Sequence, residues 1–222
     1  MYLYLIPLCL LLAAVYVYYE IRKSYVPAVI LKGLASLTFV IFGITGSKLC
    51  QDPTFAKPVI IGLILGAVAD VLLNLRYVFP KVGKPVFLFG ILVFLSGHIS
   101  YLAALIPRCS SLVVYILAGI AAAVLLLQWV FKKVTLDKAF KIFCTVYAGV
   151  ITVMTFTALG AMIARPDTQQ ILFFAGAVLF LISDVVLLLN TFGKESKNPL
   201  RIANLSLYYV GQILIALCLQ FG

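Results

Sequence analysis

Apolar runs of about twenty residues, separated by short polar breaks, decide what this chain can fold into. A run of about 20 apolar residues can cross roughly 30 Å of hydrocarbon as a helix. Inside a bilayer the backbone must satisfy its own hydrogen bonds, which leaves helices or closed barrels, and no alternating strand pattern is seen. The runs predict eight membrane helices, over Tyr2–Tyr19, Val26–Gly46, Pro58–Leu75, Val86–Ile106, Ser111–Phe131, Phe140–Ala164, Gln169–Phe192 and Ile202–Phe221.

Charged residues make up 11% of the 222 residues, whereas a soluble domain carries about 25%. The polar breaks are too short to hold a soluble domain, so any site must be built from the helices themselves. We therefore expect a single integral membrane domain over residues 1–222. It would be an all-α, polytopic bundle of eight transmembrane helices in a bacterial-type inner membrane or an endomembrane.

The net charge of +10 does not indicate a nucleic-acid partner, because the lysines and arginines fall mostly in the polar breaks, where they orient helices. The odd-numbered loops hold 12 of these residues and the even-numbered loops hold 4. This bias predicts that the odd loops are cytoplasmic and that both termini lie outside. The five cysteines show no CxxC spacing and have no neighbouring histidine, so they do not indicate a metal site.

Two acidic residues, Asp70 and Asp184, fall inside apolar runs. An ionised carboxylate in hydrocarbon costs at least about 2.5 kcal/mol, so acids at this depth indicate a functional site. Two such acids can divide into one that keeps its proton and one that is ionised, which is the arrangement needed for acid–base hydrolysis. The other acids lie in polar breaks: Glu20, Asp52, Asp137, Asp167 and Glu195.

Eight further polar residues of the apolar runs are candidates for binding a substrate or for tuning the protonation of the acids: Lys32, Asn74, His98, Tyr147, Ser183, Asn190, Tyr208 and Gln212. Lys32, Tyr147 and Tyr208 enter the membrane from the side of the odd loops within about two helical turns. Asn74 shares a helix face with Asp70, because the two are four residues apart. Several polar groups are thus predicted to lie level with the acids.

Each of these eight residues also has a purely structural alternative. Lys32 can extend its ammonium group to the membrane surface, and the two tyrosines can belong to an interfacial aromatic belt. His98, which lies deeper than the acids, can tie two helices together by a hydrogen bond. The amide side chains and Ser183 can do the same.

A faint internal repeat accompanies the two acids. The segment Gly66–Asn74 of the third run resembles the segment Gly176–Asn190 of the seventh. The acids lie 114 positions apart, about half the chain, which suits two four-helix halves in parallel relation. The spacing from glycine to acid is four in the first segment and eight in the second, and chance similarity between Leu- and Val-rich helices explains the match equally well.

The residues that carry a resemblance to a known family lie in six of the runs: Lys32, Gly66–Asp70 with Leu72–Asn74, Phe89–Gly90 and Gly97–Tyr101, Tyr147 and Met154, Gly176–Ala177 with Phe180 and Ser183–Asp184, and Tyr208 with Gly211–Gln212. In this order they resemble the YhhN-like integral membrane proteins, whose animal members are transmembrane lysoplasmalogenases. The chain departs from the family pattern at Ala69, where glycine is more common, and at Gly33, where proline is common.

The resemblance implies hydrolysis of the vinyl ether bond of lysoplasmalogens, giving a fatty aldehyde and a glycerophospho-base, without a metal or organic cofactor. The expected partners are a lysophospholipid substrate and the surrounding membrane lipids. Asp70 and Asp184 would be the catalytic residues: one protonates the alkene carbon, and the other stabilises the resulting cation or activates water. At this point either acid can have either role, and a related lipid ether or ester is an alternative substrate.

Two other functions fit the same residues. Paired intramembrane acids and a possible duplication also suit a proton- or cation-coupled transporter of a small solute. Such a transporter needs a water path to either side, whereas the hydrolase needs a lipid-accessible pocket on one leaflet. A non-enzymatic lipid-binding or scaffold protein would tolerate both Asp70→Asn and Asp184→Asn.

Overall fold

A computed structural model of the chain describes residues 2–193 and 197–222. Within these residues the chain forms eight α-helices and no β-strand: α1 (Leu5–Ile21), α2 (Tyr25–Gly46), α3 (Pro53–Val78), α4 (Gly83–Leu105), α5 (Leu112–Phe131), α6 (Lys138–Ala164), α7 (Thr168–Phe192) and α8 (Asn198–Leu217). The predicted all-α architecture is confirmed. Glu195, which the sequence places in the last polar break, lies outside the described residues.

Seven of the helices, α2 to α8, are long and apolar enough to cross a bilayer, so the chain is an integral membrane protein. The first helix, α1, has 17 residues, which is about 25 Å and slightly less than the hydrocarbon thickness. Its span therefore stays a prediction. The ring of Tyr2 packs against Phe42 with 6.0 Å between centroids, and Glu20 bonds Arg201 at the start of α8. Residues 2–21 thus run beside most of α2.

Three of the acids in the polar breaks begin helices. The side chains of Asp52, Asp137 and Asp167 accept hydrogen bonds from free backbone N–H groups at the starts of α3, α6 and α7. Pro53 follows Asp52 at the first helical position, where the missing N–H of proline costs nothing. For this reason α3 begins five residues before the start predicted at Pro58.

Contacts among the odd-numbered loops close one end of the bundle, which we call the odd-loop end. Lys84 at the start of α4 pairs with Asp137 before α6, with 2.7 Å between Nζ and Oδ2. The backbone N–H of Thr135 donates to the carbonyl oxygen of Phe192 at 3.1 Å. These contacts join the third, fifth and seventh loops, as an alternating up-and-down order of helices requires.

A polar cluster around Arg108 ties the opposite end. Arg108 donates from Nη2 to Asp52 Oδ2 at 2.6 Å and from Nη1 to Gln169 Oε1 at 2.5 Å. Hydrogen bonds from Thr54 and then from Arg108 lower the pKa of the Asp52 carboxyl to about 2. This cluster holds α3, α4 and α7 together at the end of the bundle that lies away from the intramembrane acids.

Helix α3 packs on α4, and α7 packs on α8, with their backbones almost in contact. A Cβ added at Gly97 would lie 3.2 Å from the carbonyl oxygen of Gly62, and a Cβ added at Gly211 would lie 2.9 Å from that of Gly176. Gly176 and Gly211 follow Gly62 and Gly97 by 114 positions, the interval that also separates the two acids. Gly62, and not Gly66, is thus the counterpart of Gly176. This regularity supports the four-plus-four duplication, which stays a prediction.

Candidate functional site

Asp70 lies buried in α3, in the half of the helix nearer the odd-loop end, and donors surround its carboxylate. Lys32 Nζ lies 3.0 Å from Oδ1, and the hydroxyl groups of Ser36 and Tyr208 each donate to Oδ2 at 2.5 Å. Lys32 and Ser36 occupy adjacent turns of α2, and Tyr208 comes from α8. Lys32 is only 6% exposed, so it pairs with Asp70 and does not extend to the membrane surface.

Asp184 is the corresponding acid of α7, and it has far fewer polar partners. Its Oδ2 accepts one hydrogen bond, from the hydroxyl group of Tyr147 on α6 at 2.7 Å. No ion pair of the described residues reaches its carboxyl group. The side chains of Leu73, Phe87 and Leu188 line the space beside it. Asp184 thus combines one hydroxyl partner with an apolar surrounding.

The two acids line one cavity of about 50 Å³, which we call the polar cavity. Lys32, Asn74 and Tyr208 also line it. Because one water molecule needs about 10–15 Å³ of such space, the polar cavity has room for a few waters among groups that can bond them. Asp70 and Asp184 therefore line the same cavity and do not face separate surfaces of the bundle.

A second space of about 40 Å³, the apolar cavity, lies against the polar one between α3, α4, α6 and α7. Asp184 and Tyr147 line both spaces. The other walls of the apolar cavity are mostly hydrocarbon side chains, including Ile91 and Leu187. The carboxyl group of Asp184 thus stands at the boundary between a space suited to water and a space suited to an alkyl chain.

Comparison with known proteins bears on this arrangement. A model of the YhhN family matches residues 5–219, nearly the whole chain. The chain belongs to the YhhN family. Comparison with curated proteins gave no match, and comparison with solved structures gave none either. The family match includes every residue that lines the two cavities.

Sequence reasoning missed a residue that closes the polar cavity of this YhhN protein at the odd-loop end. Arg201 on α8 donates from Nε to Glu20 Oε2 at 2.8 Å, and from Nη2 to the other oxygen of Glu20 and to the hydroxyl of Tyr16. Asn74 Nδ2 also donates to Tyr16, at 3.0 Å. Tyr16 and Glu20 are four residues apart on one face of α1. In the sequence, that spacing is what indicates a polar face on α1.

Four predicted residues lie outside the polar cavity: Gln212, Asn190, Ser183 and His98. Gln212 stands behind Tyr208: its Oε1 accepts a hydrogen bond from Tyr101 at 3.1 Å, and its Nε2 points at the Tyr208 hydroxyl at 3.4 Å. Asn190 lies in the last turn of α7, where its Oδ1 accepts from the backbone N–H of Lys197, the residue before α8, at 2.7 Å. The hydroxyl of Ser183 is buried without a hydrogen-bond partner among the described residues.

His98 lies in an aromatic shell and does not line either cavity. Its ring stacks on Phe94 with 5.7 Å between centroids and meets Phe180 edge-on at 4.7 Å. Neither ring nitrogen finds a hydrogen-bond partner within the described residues. The structural alternative for His98, a hydrogen bond that ties two helices together, is therefore absent from this part of the chain. Its ring lies 5.6 Å from that of Tyr147, directly behind the residue that bonds Asp184.

Among residues 2–193 and 197–222, no three histidine, cysteine, aspartate or glutamate side chains lie close enough together to hold a metal ion. The polar groups of this YhhN site are carboxyl, ammonium, guanidinium, hydroxyl and amide groups. Such groups can donate, accept and transfer protons, and they can order water.

Proposed function

We propose that this YhhN protein is a membrane-embedded hydrolase that cleaves the vinyl ether bond of lysoplasmalogens. Membership of the YhhN family supports the proposal. The observation that carries it is that two buried carboxyl groups with unlike surroundings, Asp70 and Asp184, line one cavity with room for water. Acid–base hydrolysis needs such a division of environments.

The unlike surroundings support a division of roles. Asp70 is the ionised partner, since Lys32 can only donate and two hydroxyl groups donate to its other oxygen. A carboxylate has about four acceptor positions, so one position on Oδ1 is free to accept from a water molecule. Asp184, with one tyrosine and no cation in contact, is the acid that carries the proton.

The reaction then follows from the chemistry of a vinyl ether. Asp184 protonates the alkene carbon that is remote from the ether oxygen, and the adjacent carbon becomes an oxocarbenium ion. Water ordered by Asp70 adds to that carbon and returns a proton to Asp184. The hemiacetal breaks to a fatty aldehyde and the free hydroxyl group of a glycerophospho-base. Asp70 also offsets the positive charge of the oxocarbenium ion.

The two cavities support a placement of the lipid. The alkenyl chain enters the apolar cavity between Phe87 and Leu188, which widens by movement of these side chains to accept it. The ether oxygen then lies beside Asp184, and the glycerol points into the polar cavity. By the positive-inside bias the odd-loop end is cytoplasmic, so the substrate is a lipid of the cytoplasmic leaflet.

The test is an assay of the purified protein in detergent with lysoplasmenylcholine and lysoplasmenylethanolamine, with aldehyde release as the measurement. We expect release from both lipids and none from the saturated 1-O-alkyl analogue, which has no alkene to protonate. If folded protein releases aldehyde from neither vinyl ether lipid, the proposal is overturned.

A proton- or cation-coupled transporter is the second candidate. The constant interval of 114 positions that relates both acids and the glycine contacts favours it, since many transporters are built from two repeats. This alternative predicts solute uptake into vesicles that depends on an ion gradient and is lost in Asp70→Asn. The hydrolase predicts aldehyde release from the same vesicles without any gradient.

A further inference from the structure

A third chamber opens at the odd-loop end, next to the polar cavity. It lies between the ends of α1, α3 and α7 and the start of α8, and it has a volume of about 260 Å³. We call it the vestibule. Its walls are largely polar and include Lys23, Tyr25, Tyr77, Asn190 and Arg201. The proposed reaction at Asp70 and Asp184 uses none of these groups.

Arg201 lies in the wall that the vestibule shares with the polar cavity. A guanidinium group has five N–H donors on three nitrogens. The hydrogen bonds of Arg201 within the described residues use Nε and Nη2, with Glu20 and Tyr16 as acceptors. They leave Nη1 for a further acceptor. Arg201 can therefore bind an anion without giving up the contacts that hold it.

The charge of the vestibule favours an anion. Among the described residues that line it, Glu20 is the only acid, and Arg201 already neutralises it. Lys23 adds an exposed positive charge, and its backbone lies in the left-handed region with a φ of 59°. Helix α8 also begins here, with Asn198 in the wall of the chamber, so the positive end of its dipole faces the same chamber.

We propose that the vestibule binds the phosphate group of a single-chain phospholipid, with Arg201 and Lys23 as its ligands. This inference rests on the proposed function, because it places the headgroup of the same substrate. A glycerol backbone separates the ether oxygen from the phosphate by three carbon atoms. Arg201 borders both the chamber that holds the acids and the vestibule, so a phosphate at Arg201 positions the ether oxygen near Asp184.

The test measures binding and not turnover, so that it is independent of the chemistry. Purified wild-type protein in detergent is titrated with a saturated 1-O-alkyl lysophosphatidylethanolamine, which cannot be hydrolysed through an oxocarbenium ion. The matched ligand is the 1-O-alkylglycerol of the same chain length, which lacks only the headgroup. We expect at least about tenfold tighter binding of the phospholipid, the lower range for hydrogen bonds to a charged group. Equal affinity for the two lipids would overturn the proposal.

Variants then test the named ligands. Arg201→Gln is expected to abolish the preference for the phospholipid. Lys23→Asn, which keeps a side chain that tolerates positive φ, is expected to reduce the preference about threefold, since the charge is exposed. Arg22→Gln is the matched control, because Arg22 lies over the ring of Tyr18 and does not line the vestibule. A preference that is unchanged in Lys23→Asn, or in folded Arg201→Gln, would overturn the assignment.

Competition separates the possible sources of the phosphate. Glycerophosphoethanolamine is expected to compete with the phospholipid at concentrations where inorganic phosphate does not. Equal competition by inorganic phosphate would instead show a free-anion site and overturn the lipid assignment. A phosphate preference in binding without any aldehyde release would refute the hydrolase and leave the phospholipid site in place.

Discussion

Asp70 and Asp184 lie at matching positions of two similar helices, yet their neighbours differ. The residues around Asp70 supply an ammonium group and two hydroxyl groups, whereas Asp184 receives one hydroxyl group and borders an apolar space. The difference arises from α2 and α6, which carry Lys32 beside the first acid and Tyr147 beside the second. The helices that pack against the two carboxyl groups thus give them different surroundings, and the proposed division of roles depends on this difference.

The largest combined loss of stability and activity is expected for Asp70→Asn. The substitution leaves the buried Lys32 ammonium without its carboxylate, and breaking a buried pair from one side costs about 3–5 kcal/mol. We expect a lower midpoint of thermal unfolding in detergent and a fall in aldehyde release of at least about a hundredfold. The double variant Lys32→Met/Asp70→Asn removes both charges and should regain most of the stability but none of the activity. A double variant as unstable as the single one would contradict the pairing.

Asp184→Asn should affect activity alone. We expect turnover to fall by about 10²–10⁴-fold, the range for loss of a general acid. The unfolding midpoint should stay close to that of the wild type, because the amide oxygen of asparagine still accepts from Tyr147 and no cation loses its partner. The comparison between the two acids fails if this variant loses as much stability as Asp70→Asn.

Removing the tyrosine hydroxyl that donates to each acid tests the same difference between Asp70 and Asp184. Tyr147→Phe removes the one hydrogen bond that Asp184 accepts, and turnover should fall about tenfold, as expected for a bond worth about 1.4 kcal/mol. Tyr208→Phe leaves Asp70 with Lys32 and Ser36, so a loss of about threefold is expected. Aldehyde release under identical conditions measures both. A larger loss in Tyr208→Phe would reverse the proposed roles.

The smallest effect is expected at an acid outside the membrane, Asp52. Its contacts with Thr54 and Arg108 lower its pKa from 3.8 to about 2. Their stabilising contribution is therefore complete above pH 3.8 and is lost only as the pH falls through about 2. Asp52→Asn should lower the unfolding midpoint slightly and by a constant amount from about pH 5 to 9, since the group is exposed. The turnover of Asp52→Asn should not change. A large fall would mean that loss of any acid impairs the protein, and the effects at Asp70 and Asp184 would then not be specific.

The apolar runs of the sequence predict eight membrane helices, and the structure confirms that seven of them are long and apolar enough to span a bilayer. The level of each polar residue along its helix was also predictable, because a helix rises about 1.5 Å per residue and the polar breaks mark its ends. The level arrangement of Lys32, Tyr208 and Asp70 follows from this rule. Helix starts were less predictable: α3 begins at Pro53 because Asp52 caps it, although the apolar run begins at Pro58.

The pairing of side chains across helices was not predictable. A helix that is apolar all round gives no indication of which face meets its neighbour, because lipid and core are equally apolar. Ser36 was overlooked for this reason, although it donates to Asp70. Arg201 and Glu20 fall in polar breaks of the sequence, yet they pair at the edge of the site. Nothing in the sequence indicates that the ring of His98 packs among aromatic side chains, against Phe94 and Phe180.

The glycine contacts between α3 and α4, and between α7 and α8, have a consequence for access. At these contacts the two backbones almost touch. No side chain lies between them there that could rearrange to let the helices separate. Each acid therefore lies on one closely packed helix pair, Asp70 on α3–α4 and Asp184 on α7–α8. In the proposed hydrolase, the lipid tail reaches the acids between these two pairs, where Phe87 and Leu188 line the apolar cavity. Any movement of one pair relative to the other also changes the distance between the two carboxyl groups, so in that proposal entry of the tail and the geometry of the acids are coupled.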